Sequence, residues 1–220
     1  MRQPSFLTAL GFAAAGLFLW GIAADLYAVR LATKPWPVIL MAVAVWRYGE
    51  RPRASLIVLG LGLSAVGDVL LEVSDATFLP GVGAFLLAHL AYIAALVGEA
   101  KALKLARALP FAIWGVGLLW WLHDGLVAAG MLTPVAVYAL VICSMMWRAA
   151  AWLGTGGRCA VTAFLGALLF ATSDSLIAID RFDGGEPLFG IRYFIIVLYW
   201  LGQAGISASA LRHSAEPVDR

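Results

Sequence analysis

Residues 55–71, SLIVLGLGLSAVGDVLL, are a run of apolar and small residues interrupted by one carboxylate, Asp68. A second run, FATSDSLIAI at 170–179, sets Asp174 in similar surroundings. Such runs read as helices approaching the roughly 20 residues that cross a bilayer. A carboxylate inside one costs at least about 2.5–3.5 kcal/mol to insert, and the usual reason for tolerating that cost is a functional site facing the bundle interior. The two runs therefore bear on both fold and function.

The rest of the chain agrees. Of 220 residues, 63% are hydrophobic and 13% charged, and the mean hydropathy is +0.92. A water-soluble domain has no use for so much apolar surface. Apolar stretches between charged or Gly/Pro-marked breaks fall at about 6–28, 36–46 (short, with flanks that can extend it), 55–73, 78–98, 106–122, 125–147, 159–179 and 189–210. The expectation is an all-α polytopic membrane helix bundle of about eight transmembrane helices, one integral membrane domain over residues 1–220. The longest polar stretch, DRFDGGEP at 180–187, reads as a loop. The first run exceeds the 7–15 residues of a signal-peptide core and reads as a retained helix. Cys143 and Cys159 make neither a disulfide framework nor a metal signature and read as small packing residues.

Basic residues set the orientation. With a cytoplasmic N-terminus, the inner segments carry Arg2, Arg47, Arg51, Arg53, Lys101, Lys104, Arg107, Arg148, Arg158, Arg212 and Arg220. The outer loops hold Arg30, Lys34, Arg181 and Arg192 among the acids Glu72, Asp75, Asp124, Asp180, Asp183 and Glu186. Both termini are therefore expected inside, in the cytoplasmic membrane if the source is bacterial. The net charge of +2 is a topology signal. With no basic patch interleaved with aromatics, nucleic acid is not an expected partner.

In this topology the third and seventh spans both run outward, and Asp68 and Asp174 come to lie roughly 20 Å from the inner side. Each stands in the third span of a four-span half. The preceding span in each half opens with proline, in TKPWP at 33–37 and LTP at 132–134. This suggests a weak parallel pseudo-repeat of about 1–104 and 105–212.

Other polar residues sit at compatible heights. His89 and Tyr92 share one face of the fourth span at i, i+3. Arg192, Tyr199 and Gln203 form a stripe on the last, Ser64 lies one turn below Asp68, and Lys34 stands at the outer entry to the second span. Singly, each has a plainer reading as a satisfied core histidine, interfacial tyrosine or snorkelling lysine. Together they describe a cavity open to the outer leaflet. Gly60, Ser64 and Asp68, and Gly202 with Gly205, read as close helix-packing faces. Gly67 and Ser173, each just before an aspartate, let a neighbour approach the carboxyl.

Several enzyme classes fall away. There is no GxSxG elbow, HExxH motif, cysteine-rich metal spacing or nucleotide-binding glycine loop. His89, His123 and His213 are far apart in sequence. An intramembrane aspartyl protease would need GxGD and PAL motifs, whereas the chain has AVGD and no PAL. No metal site and no cofactor are expected.

TKPWP, GDVLL, AHLAY at 88–92, GALLFATSDSLIAIDRF at 166–182 and LYWLGQ at 198–203 resemble the YhhN family of membrane lysoplasmalogenases. The resemblance runs from about Lys34 to Gln203. It implies hydrolysis of the vinyl ether bond of lysoplasmalogen, or of a related lysolipid, to a fatty aldehyde and glycerophospho-ethanolamine or glycerophospho-choline. It also implies site roles for Lys34, Asp68, His89, Asp174, Tyr199 and Gln203. The partners implied are a lysophospholipid substrate and the bilayer.

That chemistry suits two aspartates. Protonating the β-carbon of a vinyl ether leaves an oxocarbenium ion that water captures, which requires an acid and an anion together. Two close carboxyls in low dielectric do not readily both ionise, so the pair holds a proton. Glycosidases meet a related cation with two carboxyls. Asp68 and Asp174 are therefore the expected catalytic pair, within roughly 4–6 Å or bridged by water. Lys34 and Arg192 would meet the phosphate, with Trp36 as a cation–π partner for the amine. Ser64, Tyr92 and Ser173 support the site. The alternative is a proton-coupled small-molecule transporter with the aspartates as relays. A purely structural scaffold leaves the matched acids unexplained.

Overall fold

The computed structural model describes residues 4–185 and 190–211. Arg2, Glu186, Arg212, His213 and Arg220 of the sequence reading lie outside the described residues. The helices are α1 (Pro4–Ala23), α2 (Tyr27–Thr33), α3 (Trp36–Tyr48), α4 (Arg53–Val73), α5 (Phe78–Glu99), α6 (Leu109–Trp121), α7 (His123–Ala128), α8 (Leu132–Trp152), α9 (Gly157–Phe182) and α10 (Ile191–Ala210). Seven stretches are long and apolar enough to cross a membrane, α2 and α3 counting as one, and the apolar segment Leu105–Trp121 is a shorter eighth. The protein is thus an all-α polytopic bundle with the expected number of hydrophobic elements.

The sequence placed the first span at 6–28, but α1 stops at Ala23 and residues 27–33 belong to the second span. Asp25 is the reason. Its backbone is left-handed (φ 50°), which ends the helix, and its carboxylate pairs with Arg30 Nη1 at 2.9 Å. One acid in an apolar run gave no hint of a turn. Pro37 and Pro134 each occupy the first turn of a helix, α3 and α8, where a missing N–H removes no helical hydrogen bond.

Helices α3, α4, α5, α8, α9 and α10 form a closed ring in which each contacts the next and α10 returns to α3. Outside it, α1 packs on α3 and α6 packs on α8. The sequence dictates which faces turn inward. On α4 the buried residues Ile57, Gly60, Leu61, Ser64, Ala65, Gly67 and Asp68 recur at helical spacing, while Leu59 and Val66 face outward. Since α4 and α9 are three places apart in the six-membered ring, Asp68 and Asp174 come from opposite walls.

The ring has two distinct ends. At the proximal end, where α3 and α10 finish, Gly49 bridges Leu211 and Arg53 Nη1 meets Glu99 Oε2 at 3.1 Å. Also there, buried Arg148 donates to the carbonyls of Ala100 and, at 3.2 Å, Ala102, satisfying acceptors the α5 terminus leaves open. At the distal end, Arg181 bonds Asp75 at 2.9 Å and Tyr27 donates to the Val73 carbonyl at 3.2 Å.

The α9–α10 seam sets the closest approach. A Cβ on Gly166 would stand 2.6 Å from the backbone nitrogen of Ile206, one on Gly202 2.8 Å from that of Phe170, and one on Gly205 2.8 Å from Gly166 Cα. Small residues let backbones touch, which in lipid replaces the missing hydrophobic drive to association. Gly166→Ala should therefore lower stability by about 1–3 kcal/mol, read as thermal unfolding in detergent. Gly62→Ala, with nothing within 4 Å of its new methyl, should be neutral or slightly stabilising.

Candidate active site

Asp68 stands fifteen residues into α4, roughly 22 Å from the proximal end, and Asp174 seventeen into α9, roughly 26 Å along. Asp68 is 1% exposed and Asp174 partly buried. A buried carboxylate must find donors, and each finds a tyrosine on another helix of the ring, Asp174 on the neighbouring α8 and Asp68 on α10, two places away. Tyr199 of α10 donates to Asp68 Oδ2 at 2.8 Å. Tyr138 of α8 donates to Asp174 Oδ2. Among the described residues no hydrogen bond joins the two carboxyls directly, and each tyrosine bond is made at Oδ2.

Aromatic rings fill the space between the walls. The rings of Phe170 and Tyr199 are 5.2 Å apart, those of His89 and Phe170 4.7 Å, and those of His89 and Tyr138 5.3 Å, all edge to face. A continuous line of rings, Tyr138–His89–Phe170–Tyr199, thus links the residues that hold the two acids. Phe85 closes it, 5.7 Å from Tyr199, and a Cβ on Gly67 would strike its ring at 2.6 Å. Gly67 therefore admits Phe85 beside Asp68, as its position next to the acid suggests.

Below this layer runs a polar chain. Tyr92 donates to Gln203 Oε1 at 2.8 Å and stands 3.5 Å from Ser64 Oγ. Gln203 Nε2 and both ring nitrogens of His89 are buried without a regular hydrogen bond; the Phe85 backbone interacts with His89 outside such geometry. Unpaired buried groups of this kind call for a partner. Ser173 instead fixes packing, its hydroxyl donating to the Ile195 carbonyl on α10 at 2.8 Å.

Above Asp68 the structure assembles a charged cluster the sequence reading did not foresee. Glu72 is one turn beyond Asp68 on the same face of α4, and its side chain is 5% exposed. Its Oε1 meets Arg30 Nε at 2.9 Å and Arg192 Nη2 at 3.7 Å, and its Oε2 meets Lys34 Nζ at 3.1 Å. Lys34 and Arg192 thus both stand at Glu72, an acid the sequence reading counted only as a loop charge. The i, i+4 spacing from Asp68 was the available signal. Tyr138 was also missed, although its distance of roughly 9 Å from the distal start of α8 matches the depth of Asp174, roughly 12 Å from the end of α9. Trp36, by contrast, is 49% exposed, and no hydrogen bond, ion pair or ring contact joins it to these groups among the described residues.

The expected cavity open to the outer leaflet has a different counterpart. A narrow internal space lies on the proximal side of Tyr92 between Arg53, Met145, Ala167 and Ile206. Asp68 itself is buried, with Tyr199 bonded to its carboxyl and the Phe85 ring against the neighbouring Gly67. No group of three or more His, Cys, Asp or Glu arranged to hold a metal ion occurs among the described residues.

A polytopic helical membrane protein with tyrosine-held carboxyls inside its bundle is the class that fold and site define. The chain belongs to the YhhN family, whose model matches residues 29–210, so the motif resemblance from Lys34 to Gln203 is borne out. It is 33% identical over 184 residues to lysoplasmalogenase TMEM86B of Homo sapiens, covering 83% of this chain and 76% of that protein. It is 38% identical over 160 residues to a lysoplasmalogenase of Mycobacterium tuberculosis, covering 69% and 59%. Lysoplasmalogenase TMEM86A of Bos taurus is 34% identical over 173 residues, 76% of this chain and 70% of that protein. No solved structure matches the chain.

The tyrosine contacts give a stability test. Tyr138→Phe keeps the ring against His89 and removes only the hydroxyl bonded to Asp174. It should cost about 1–3 kcal/mol, the penalty for a buried polar group losing its partner. Thermal unfolding in detergent reads this, and an unchanged midpoint would mean Asp174 finds its donor elsewhere.

Proposed function

We propose that this protein is a membrane hydrolase that cleaves the vinyl ether bond of a lysoplasmalogen, or of a closely related lysolipid, with Asp68 and Asp174 as its acid–base pair. The observation that carries this reading is the pair of tyrosine-held carboxyls on facing walls, Asp68 buried and Asp174 partly buried, within a chain whose relatives are named lysoplasmalogenases. One carboxyl transfers its proton to the β-carbon, and the alkene π pair forms the new C–H bond. The resulting oxocarbenium ion is stabilised by the other, ionised carboxylate. Water adds to the α-carbon and gives up a proton to a carboxylate, forming a hemiacetal. Proton transfer to the glycerol oxygen breaks the C–O bond, releasing fatty aldehyde and the glycerophospho-alcohol. One water is consumed and the carboxyls return to their starting protonation.

Each surrounding group has a part in this scheme. Tyr199 and Tyr138 occupy Oδ2 of each acid, directing Oδ1 to the substrate. His89 and Gln203 supply buried polar atoms without a regular hydrogen bond where water or the ether oxygen needs a partner. Substrate enters by parting the ring at the distal end, its tail in the bilayer and its phosphate among Lys34 and Arg192. The distal face is the extracytoplasmic one and both termini are cytoplasmic, which agrees with the bias of basic residues. The two four-helix halves descend from one repeat. Matching placement of α4 against α5 and α9 against α10, the most extensive contacts in the bundle, supports that descent.

Purified protein in detergent, with no gradient, should release fatty aldehyde from an alkenyl lysophospholipid. Asp68→Asn and Asp174→Asn keep shape and hydrogen bonding but remove the transferable proton and the anion. Each should lower turnover by about 10²- to 10⁴-fold, and the double variant should be scarcely worse than either single one. Near-normal turnover in either single variant would sink the catalytic pair. A loss of roughly 3–5 kcal/mol in stability, with activity falling in step, would instead mark the acids as structural ion partners.

A further inference from the structure

We infer that Glu72 is the specificity-determining residue of a lipid phosphate cradle, setting its net charge so that a singly charged phosphodiester is favoured over a doubly charged phosphomonoester. This rests on the reading of the protein as a lysolipid hydrolase and concerns which headgroups that site accepts. Three cations from two separate parts of the chain, Arg30, Lys34 and Arg192, converge on one buried carboxylate. Arg30 carries a second acid, Asp25, on its Nη1 at 2.9 Å. Three positive and two negative charges leave the cluster at +1, the charge that one phosphodiester neutralises.

Depth supports a phosphate here. Glu72 lies four residues beyond Asp68, roughly 6 Å along the helix axis. In a 1-alkenyl lysophospholipid five bonds separate phosphorus from the ether oxygen, also roughly 6 Å when extended at ordinary bond lengths. A phosphate at the cluster therefore brings the vinyl ether to the level of Asp68. Lys34 is the cation best placed to meet it, since its Nζ is a compact charge with three donors, stands 5.9 Å over the Phe18 ring and acts on Asp68 as well as on Glu72. Arg192, 55% exposed, is the rim partner at the looser distance of 3.7 Å.

The opposing possibility is that Glu72 only anchors α2 and α10 to α4. Charge selectivity separates the two. The probes are two saturated 1-alkyl lysolipids, which bind but have no double bond to protonate: a glycerophosphoglycerol, carrying one negative charge, and a glycerophosphate, carrying about two at pH 8. Their dissociation constants are measured on the purified full chain in detergent by tryptophan fluorescence. Wild type should bind the diester more tightly. Glu72→Gln raises the cluster by one charge and should shift the ratio of affinities toward the monoester by about tenfold or more. Because that variant leaves buried cations unpaired and folding is at risk, Arg192→Gln provides the second arm. It lowers the cluster by one charge and should weaken both lipids, the monoester by the larger factor.

Equal or tighter binding of the monoester by wild type overturns the inference, as does either folded variant changing both lipids by one common factor. Aldehyde release from the alkenyl counterparts is measured in parallel. Absent release with the expected shifts in binding would refute the hydrolase while leaving the phosphate cradle in place.

Discussion

A carboxylate inside a helix bundle must draw its partners from other helices, because its own backbone offers none and the bilayer offers no water. Three such carboxylates organise this protein. Asp68 draws Tyr199 from α10, Asp174 draws Tyr138 from α8, and Glu72 draws Arg30, Lys34 and Arg192 from α2, its junction with α3, and α10. In lipid, helix packing has no hydrophobic drive of its own, so these polar contacts bear on register as well as chemistry. A slide of α10 by one turn would remove Tyr199 from Asp68 and Arg192 from Glu72 together, so the two contacts define one register.

That dependence explains what the sequence showed and what it concealed. The apolar runs, the breaks between them and the depth of Asp68 and Asp174 follow from composition and helical rise, and they were legible. So were the stripes of Tyr199 with Gln203 and of His89 with Tyr92, because helical periodicity alone puts them on a common face. Partner choice across the ring is a different matter. Tyr138 became visible as a ligand of Asp174 only once α8 stood next to α9, and nothing in VAVYALVICSMM marks that neighbour. Glu72 was hidden by its position near a helix end, where an acid ordinarily faces water. Asp25 was hidden because a turn made by a single left-handed residue leaves no Gly or Pro in the sequence. Trp36 illustrates the converse. Proximity to Lys34 in sequence suggested proximity in the site, yet residues two apart on a helix point about 200° apart, and Trp36 faces outward.

The arrangement of the acids also bears on the choice between hydrolase and transporter. Transport sites are commonly formed where spanning helices unwind near the midplane, exposing backbone groups to the ion. Here α4 runs unbroken through Asp68 from Arg53 to Val73, and α9 runs unbroken through Asp174 from Gly157 to Phe182. Rigid helices suit a site that must hold reacting groups in fixed positions. The aromatic line between the acids serves the same end, since interlocked edge-to-face rings leave each tyrosine few alternative rotamers.

Rigidity of that degree raises the question of how a lipid enters at all. The seam between α9 and α10 is not the door, because its backbones touch at Gly166, Gly202 and Gly205 and any opening would break their contact along much of its length. The distal cluster is better suited. Its ion pairs span α2, α4 and α10. On the proposed reading a singly charged phosphate joins these cations beside Glu72 and brings the cluster from +1 to neutral, so the bundle parts at its distal end while its proximal half stays closed. On the proposed reading the two act in sequence: the cations of the cluster meet the headgroup, while the rings of Tyr199 and Phe85, and not the charges, keep water from Asp68.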